Sequence, residues 1–196
     1  MKVGFVSLGC SKNLVDTEMT IGLFKNNNYT IVNNVEEAEI IVINTCGFIE
    51  SAKQESLDAV IQTRNAYPGK KIILTGCLAE RYADLFKDSL PEADAIMGNG
   101  DLSKIVEVAD DVMKNQRPVV KTPQKGVSGC IRENFFGFKN SAFVKITEGC
   151  NNRCTFCAIP IIRGSLRSRK ACEICEEIKD LVQKGIKELN LKIIEM

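Results

Sequence analysis

Short apolar runs alternate with longer stretches of helical spacing through the first 120 residues, and this alternation limits the possible folds more than any other feature. The strongest apolar runs are residues 2–8, 39–44 and 70–75. Between them, apolar side chains recur every three or four positions, as on a helix with one buried face. Strands that alternate with helices form a mostly parallel sheet covered by helices. The sequence therefore predicts an α/β fold, with an N-terminal parallel sheet and flanking helices.

Weaker elements complete this pattern. The predicted weaker strands are residues 29–32, 94–97 and 119–120, and the predicted helices are 14–27, 50–67, 78–86 and 101–115. Asp101 is a suitable N-cap for the last of these helices. Near the end of the chain, residues 142–147 and 187–194 are predicted strands that flank a helix at 170–184, for which Gly185 is a plausible C-cap. The C-terminal part is therefore predicted to be one β-α-β unit.

A segment rich in proline and glycine separates the two parts. We therefore divide the chain into an α/β domain at residues 1–117, a connector at 118–140 and a second domain at 141–196. Residues 141–196 are few, because a complete α/β barrel needs about 250 residues. We expect the second domain to be the first β-α-β part of an incomplete barrel in a truncated chain.

Three cysteines directly follow the three strongest predicted strands. They are Cys10, Cys46 and Cys77, and each stands beside a glycine. In open α/β sheets, ligands bind outside the carboxyl ends of the strands, so these three loops can converge. A single cysteine in such a position is more often a buried apolar residue. Their shared position instead favours a common metal cluster.

A second group of three cysteines lies close together in the sequence. Cys150, Cys154 and Cys157 are spaced four and then three residues apart. Three thiolates suit an iron-sulfur cluster that keeps one iron without a protein ligand, and a vacant position on a metal indicates chemistry rather than a structural role. A zinc site, a disulfide and simple packing are the alternatives.

Composition narrows these alternatives. The chain has nine cysteines and no histidine, which excludes mixed Cys/His zinc sites and histidine-dependent catalysis. The N-terminus lacks a signal peptide and no stretch reaches membrane-spanning length, so we expect a cytoplasmic protein without a membrane partner. Cys172 and Cys175 lie on one face of a predicted helix and are interpreted as packing residues, as is Cys130.

Positive charge is concentrated around the second group of cysteines. The formal net charge is only +1, yet residues 153–170 contain five basic side chains and no acidic one. Such a stretch favours an anionic ligand, and a solvated surface is the alternative.

The residues around these cysteines resemble a known family. The loop at 150–157, with Phe156 before its last cysteine, resembles the C-x3-C-x2-C signature of radical S-adenosylmethionine enzymes. Together with the Gly-Cys pairs at the strand ends and the Arg-rich segment at 163–169, it resembles the methylthiotransferase family. The segments at 9–18 and 46–49 look closer to the branch that modifies an aspartate of a ribosomal protein than to the branch that modifies tRNA.

This resemblance implies roles for individual residues. Cys150, Cys154 and Cys157 would hold a 4Fe-4S cluster whose open iron binds S-adenosylmethionine, with Phe156 near the adenine. Cys10, Cys46 and Cys77 would hold a second 4Fe-4S cluster that takes part in sulfur delivery. Arg163, Arg167 and Arg169 would contact anionic groups of the cofactor or substrate.

The resemblance also implies an activity. Members cleave S-adenosylmethionine to a radical that removes hydrogen from an unactivated carbon, and a methylthio group is then built there. For the ribosomal branch, the target is the β-carbon of an aspartate in a small-subunit protein, and the electron donor is of the flavodoxin or ferredoxin type. A tRNA substrate, a cluster-binding fragment without turnover and a zinc-stabilised module remain as alternatives.

Overall fold

The computed structural model describes residues 1–122, 132 and 140–193. Ten strands lie within these ranges: β1 (Lys2–Ser7), β2 (Thr30–Ile31), β3 (Ile40–Thr45), β4 (Lys71–Gly76), β5 (Ala95–Met97), β6 (Val119–Val120), β7 (Ser141–Lys145), β8 (Thr147–Glu148), β9 (Arg167–Ser168) and β10 (Glu188–Lys192). The α-helices are α1 (Ser11–Asn26), α2 (Glu50–Ala66), α3 (Cys77–Ser89), α4 (Ile105–Met113), α5 (Ile159–Arg163) and α6 (Ala171–Gln183).

A six-stranded sheet forms the N-terminal part, in the order β2-β1-β3-β4-β5-β6. All of its neighbouring strands are parallel. The three strongest strands are adjacent at its centre, so their carboxyl ends lie side by side. The predicted α/β fold with a parallel sheet and flanking helices is confirmed.

Both faces of this sheet are buried, which explains why its central strands are apolar at successive positions. On β3, Ile41 and Ile43 belong to a core that includes Val60 of α2 and residues of α3. The alternate residues of the same strand, Ile40 and Val42, pack in a core with side chains of α1 and α4. The sheet is therefore a rigid base for the loops at its carboxyl edge.

The C-terminal segment, residues 140–193, contains one parallel β-α-β unit. Strand β10 pairs with β7 in parallel, and α6 connects them. Gly185 has a φ of +90°, and the N–H groups of Gly185 and Ile186 close the end of α6 on the carbonyls of Val182 and Leu181. This is the Schellman arrangement that favours glycine. The parallel pairing of β7 and β10 and this cap at Gly185 confirm the predicted β-α-β unit.

Three smaller elements were not anticipated from the pattern. Strands β8 and β9 form a two-stranded antiparallel ladder, and α5 follows the second group of cysteines directly. The predicted strand at 142–147 is in fact divided between β7 and β8. Strands β8 and β9 consist of polar residues and α5 has only five residues, so no apolar periodicity marks them in the sequence.

Candidate metal centre

Cys10, Cys46 and Cys77, here called the first cysteine set, lie at one edge of the sheet. Cys10 is the N-cap of α1, Cys46 follows the last residue of β3, and Cys77 is the first residue of α3, directly after β4. Because β1, β3 and β4 are adjacent and parallel, the three cysteines emerge from neighbouring strand ends, as the sequence predicted. Cys77 is buried, Cys46 is partly buried and Cys10 is exposed.

Two glycines allow these loops to approach closely. Gly9 has a φ of +88°, and a Cβ atom there would lie 2.7 Å from Cβ of Cys46. A Cβ atom on Gly47 would lie 2.9 Å from the backbone oxygen of Cys77. Glycine is the residue that permits such contacts, so each Gly-Cys pair places one cysteine loop directly against the next.

Asn13 is the polar hub of the first cysteine set. Its Nδ2 donates hydrogen bonds to the backbone oxygens of Leu8 (3.2 Å) and Thr45 (2.8 Å), which fixes the ends of two strands. Its Oδ1 accepts from the Cys77 thiol at 3.2 Å. Sequence reasoning missed this residue, although it lies within the segment at 9–18 that carried the family resemblance.

The environment of Cys77 suits a metal ligand better than a free nucleophile. Burial raises the pKa of the Cys77 thiol to about 11, against the opposing effect of the nearby Arg163 guanidinium, and the Asp16 carboxylate raises it further. A thiol with such a pKa stays protonated near neutral pH, whereas coordination to a metal removes the proton outright. Asn99 adds a weak contact, with its Nδ2 3.7 Å from Cys77 Sγ.

Cys150, Cys154 and Cys157, here called the second cysteine set, lie on the loop between β8 and α5. The loop is closed at its base, where the N–H of Cys150 donates to the carbonyl of Gly164 at 3.0 Å. A tight turn inside it brings the N–H of Cys157 to the carbonyl of Cys154, also at 3.0 Å. Cys154 is exposed and the other two cysteines are partly buried. Phe156 is 89% exposed, so its ring is presented to solvent at the tip of the loop.

The two cysteine sets meet through α5. Ala158 and Ile162 pack against Cys77, although about 80 residues separate them in the chain. Arg163, the last residue of α5, places its Nη2 3.2 Å from Cys77 Sγ and 2.6 Å from Asn13 Oδ1. The loop of the second set is therefore docked at the edge of the sheet that carries the first set.

A buried charge network holds this docked arrangement. Asp16 of α1 accepts from Arg163 Nη1 at 2.6 Å and from the Lys145 ammonium. Lys145 also pairs with Glu148 at 2.8 Å, and the Lys12 ammonium lies 3.9 Å from Glu148. Burial alone would raise the pKa of Glu148, but the surrounding cations lower it to about 2. The network therefore ties the C-terminal segment to α1 through charged side chains that are buried from solvent.

The three predicted cofactor arginines all have partners within the chain. Besides the contacts of Arg163, Arg167 donates to the backbone oxygens of Ser165 (2.6 Å) and Arg163 (3.0 Å). Arg169 donates to the Lys145 carbonyl at 2.8 Å and pairs with Glu177. Their assignment as contacts to an anionic cofactor or substrate stays a prediction.

The interpretation of Cys172 and Cys175 as packing residues is wrong. Both are exposed, because α6 packs through its other face, with Ile174, Ile178 and Leu181 against the core of the β-α-β unit. Cys130 lies outside the described residues. Within residues 1–122, 132 and 140–193, no three cysteine, aspartate or glutamate side chains are arranged to hold a metal ion as they stand.

The fold and the two cysteine sets define the class: an α/β protein with three cysteines at the carboxyl edge of a parallel sheet and three more on a loop whose following helix packs against that edge. A family model described as "Uncharacterized protein family UPF0004" matches residues 2–98. The ribosomal protein uS12 methylthiotransferase RimO of Treponema denticola is 48% identical over 190 residues, which cover 93% of this chain and 41% of that protein. The resemblance to methylthiotransferases that the sequence suggested therefore extends over nearly the whole chain, and the family model matches about half of it.

Two further relatives carry the same name. The protein of Clostridium botulinum is 45% identical over 195 residues, covering 97% of this chain and 44% of that protein. The protein of Desulforamulus reducens is 44% identical over 194 residues, covering 96% of this chain and 44% of that protein. The chain thus spans less than half the length of these curated relatives. None of the helices in the described ranges combines the length and the apolar character that a membrane span requires.

Proposed function

We propose that this chain carries the cluster-binding part of a methylthiotransferase that modifies the β-carbon of an aspartate in ribosomal protein uS12. The names of the relatives support a ribosomal protein, rather than a tRNA, as the substrate. The observation that carries the proposal is the contact of Cys77 with α5, because it brings the loop of the second cysteine set to the first set. An enzyme that uses two metal centres in one reaction needs this proximity.

The first cysteine set is proposed to hold one 4Fe-4S cluster. Its three thiols come from adjacent strand ends, and thiolates are the ligands that such clusters use. Burial of Cys77 and the Asn13 contacts fix the position of the deepest ligand. The chemistry of the donor set therefore fits the group, and the α/β domain at residues 1–117 is proposed to be its scaffold.

The second cysteine set is proposed to hold the other 4Fe-4S cluster, together with S-adenosylmethionine. The partial exposure of Cys150, Cys154 and Cys157 leaves space for a ligand on the outer side of the loop. The exposed ring of Phe156 offers an apolar surface for an adenine. The second domain at residues 141–196 is proposed to carry this cluster, and residues 118–140 are proposed to connect it to the α/β domain.

When bound, these groups supply a radical that can remove hydrogen from an unactivated carbon, which side chains cannot do. The chain's own residues hold the two cysteine sets in position and shield the first set from solvent. Ala158 and Ile162 cover Cys77, and the Asp16–Lys145 pair seals the contact between α1 and β7. We propose that the protein works in the cytoplasm with an electron donor of the flavodoxin or ferredoxin type.

Anaerobic reconstitution with iron and sulfide tests the proposal. Wild type should bind about eight irons, and each triple variant, Cys10→Ala/Cys46→Ala/Cys77→Ala or Cys150→Ala/Cys154→Ala/Cys157→Ala, should bind about four. The double variant Cys172→Ala/Cys175→Ala is the matched control, since its cysteines are exposed on α6. It should bind as much iron as wild type.

Other outcomes separate the alternatives. Cleavage of S-adenosylmethionine by the reconstituted wild type would establish radical chemistry in this chain, and its loss in the second triple variant would assign it to Cys150, Cys154 and Cys157. Iron and sulfide without cleavage would indicate a cluster-binding fragment. A colourless protein that binds zinc without sulfide would overturn the proposal.

A further inference from the structure

Arg163 makes an unusual set of contacts for a residue at the end of a short helix. Its side chain is only 6% exposed. One guanidinium nitrogen donates to Asp16 at 2.6 Å, and the other donates to Asn13 at 2.6 Å and lies 3.2 Å from Cys77 Sγ. Arg163 belongs to the C-terminal segment, whereas its three partners all belong to the N-terminal part. The contact therefore crosses from one cysteine set to the other.

The surrounding charges do not cancel the charge of this guanidinium. Three cations, Lys12, Lys145 and Arg163, share two carboxylates, Asp16 and Glu148. One positive charge is therefore in excess beside Cys77, in a site where low exposure weakens solvent screening. The planar fork of arginine can serve the carboxylate, the amide and the sulfur together, which a lysine ammonium at the end of a flexible stem does less well.

We propose that Arg163 is a positioning residue for the first cysteine set, and that its hydrogen bond to Cys77 makes the reduction potential of the cluster held there depend on the docking of α5. The inference rests on the proposed function at the first set. Hydrogen bonds to the ligand sulfurs and the net charge nearby are among the factors that set the potential of an iron-sulfur cluster. Both factors favour the reduced, more negative cluster, so Arg163 raises its potential.

The test uses the Cys150→Ala/Cys154→Ala/Cys157→Ala protein, in which only the first set can hold a cluster. After anaerobic reconstitution, the potential is measured by titration with dithionite and electron paramagnetic resonance of the reduced state. Arg163→Met should shift the potential to more negative values. Arg163→Lys should give an intermediate value, because it keeps the charge but not the full fork.

Arg132→Met is the matched control. Arg132 is also a buried arginine that links α1 to α6, through Glu18 at 2.6 Å and Glu177 at 2.7 Å. Arg132→Met therefore removes a buried arginine from the contact between α1 and α6 but leaves α5 and the donor to Cys77 in place, so its potential should stay at the parent value. An unshifted potential in Arg163→Met, or an equal shift in Arg132→Met, would overturn the inference.

Iron content covers the case in which a variant does not assemble. If both Arg163 variants lose iron while Arg132→Met keeps it, the positioning role is supported; if Arg132→Met loses iron equally, general docking explains the loss and the inference is overturned. A parent protein that binds no iron and sulfide would instead overturn the proposed function at the first set, and this inference with it. Failure of the inference alone leaves a parent with a normal cluster.

Discussion

The two cysteine sets are held by very different amounts of structure. The first set stands on three adjacent strands of a six-stranded sheet whose two faces are both covered. The second set lies on a loop between a two-residue strand and a five-residue helix, beside a two-stranded parallel pair. A sheet with two buried faces fixes its loops independently, whereas a small unit buries too little apolar surface to do so.

This difference indicates that the second set depends on the first part of the chain for its position. The contacts that fix it are charged side chains that reach α1, above all Lys145 and Arg163 on Asp16. Buried ion pairs add little net stability but are costly to break from one side, so they specify a geometry rather than strengthen the fold.

Removal of the shared carboxylate should have the largest effect. Asp16→Ala leaves the buried cations Lys145 and Arg163 to share Glu148 with Lys12, which should cost about 3 to 5 kcal/mol in the free energy of unfolding. We expect the C-terminal segment to detach first, so that limited proteolysis cuts it at a denaturant concentration where wild type resists. The N-terminal sheet should keep its own unfolding transition.

An exposed ion pair provides the control for this variant. Glu107 pairs with Lys104 on the surface, with 64% of the Glu107 side chain exposed. Glu107→Ala should change the free energy of unfolding by less than about 0.5 kcal/mol and leave proteolysis unchanged. A single cooperative transition in Asp16→Ala, with wild-type resistance to proteolysis, would contradict the dependence of the second set on α1.

A pair of glycine variants tests the scaffold of the first set. Gly76 and Gly185 both have positive φ, +96° and +90°, but only Gly76 is crowded: a Cβ atom there would lie 2.2 Å from Asn44 Oδ1 and 2.6 Å from the Thr45 oxygen. Gly76→Ala should therefore cost about 2 to 4 kcal/mol, from backbone strain and the clash together. Gly185→Ala meets open space and should cost about 1 kcal/mol.

Iron binding distinguishes the two glycine positions further. Because Gly76 directly precedes Cys77, Gly76→Ala should displace that ligand and reduce the iron bound by the first set. Gly185→Ala lies at the end of α6 and should bind iron as wild type does. Equal stability and equal iron content in the two variants would show that the approach of the loops is not what the first set requires.

The first set was largely predictable from the sequence, and the reason is physical. An apolar run that ends in glycine and cysteine marks a strand end, and parallel strands bring such ends to one edge. Residues 10, 46 and 77 could therefore be placed together without knowledge of any contact between them. The weaker strands β2 and β6 were likewise expected, although each is only two residues long.

The contacts that join the two sets could not be predicted in this way. Arg163 and Asp16 are 147 residues apart, and Lys145 and Asp16 are 129 residues apart. No periodicity relates such positions, and a buried aspartate on α1 contradicts the usual preference of charged residues for the surface. The prediction that Cys172 and Cys175 are packing residues was wrong for a related reason. Spacing shows that two residues share a helix face but not which face is buried.

The smallest expected effect on stability is that of a substitution at the tip of the second loop. The same substitution should mainly affect the binding of S-adenosylmethionine. Phe156 is 89% exposed, so Phe156→Ala should change the free energy of unfolding by less than about 0.5 kcal/mol. If its ring stacks on the adenine, the same variant should weaken binding of S-adenosylmethionine to the reconstituted protein about 3- to 10-fold in calorimetry. Phe48→Ala is the control, because Phe48 is a half-exposed ring that follows the Cys46 loop of the first set. Unchanged affinity in Phe156→Ala, or an equal loss in Phe48→Ala, would show that the second loop does not present the cofactor surface. The exposure of the second set would then not reflect a role in cofactor binding.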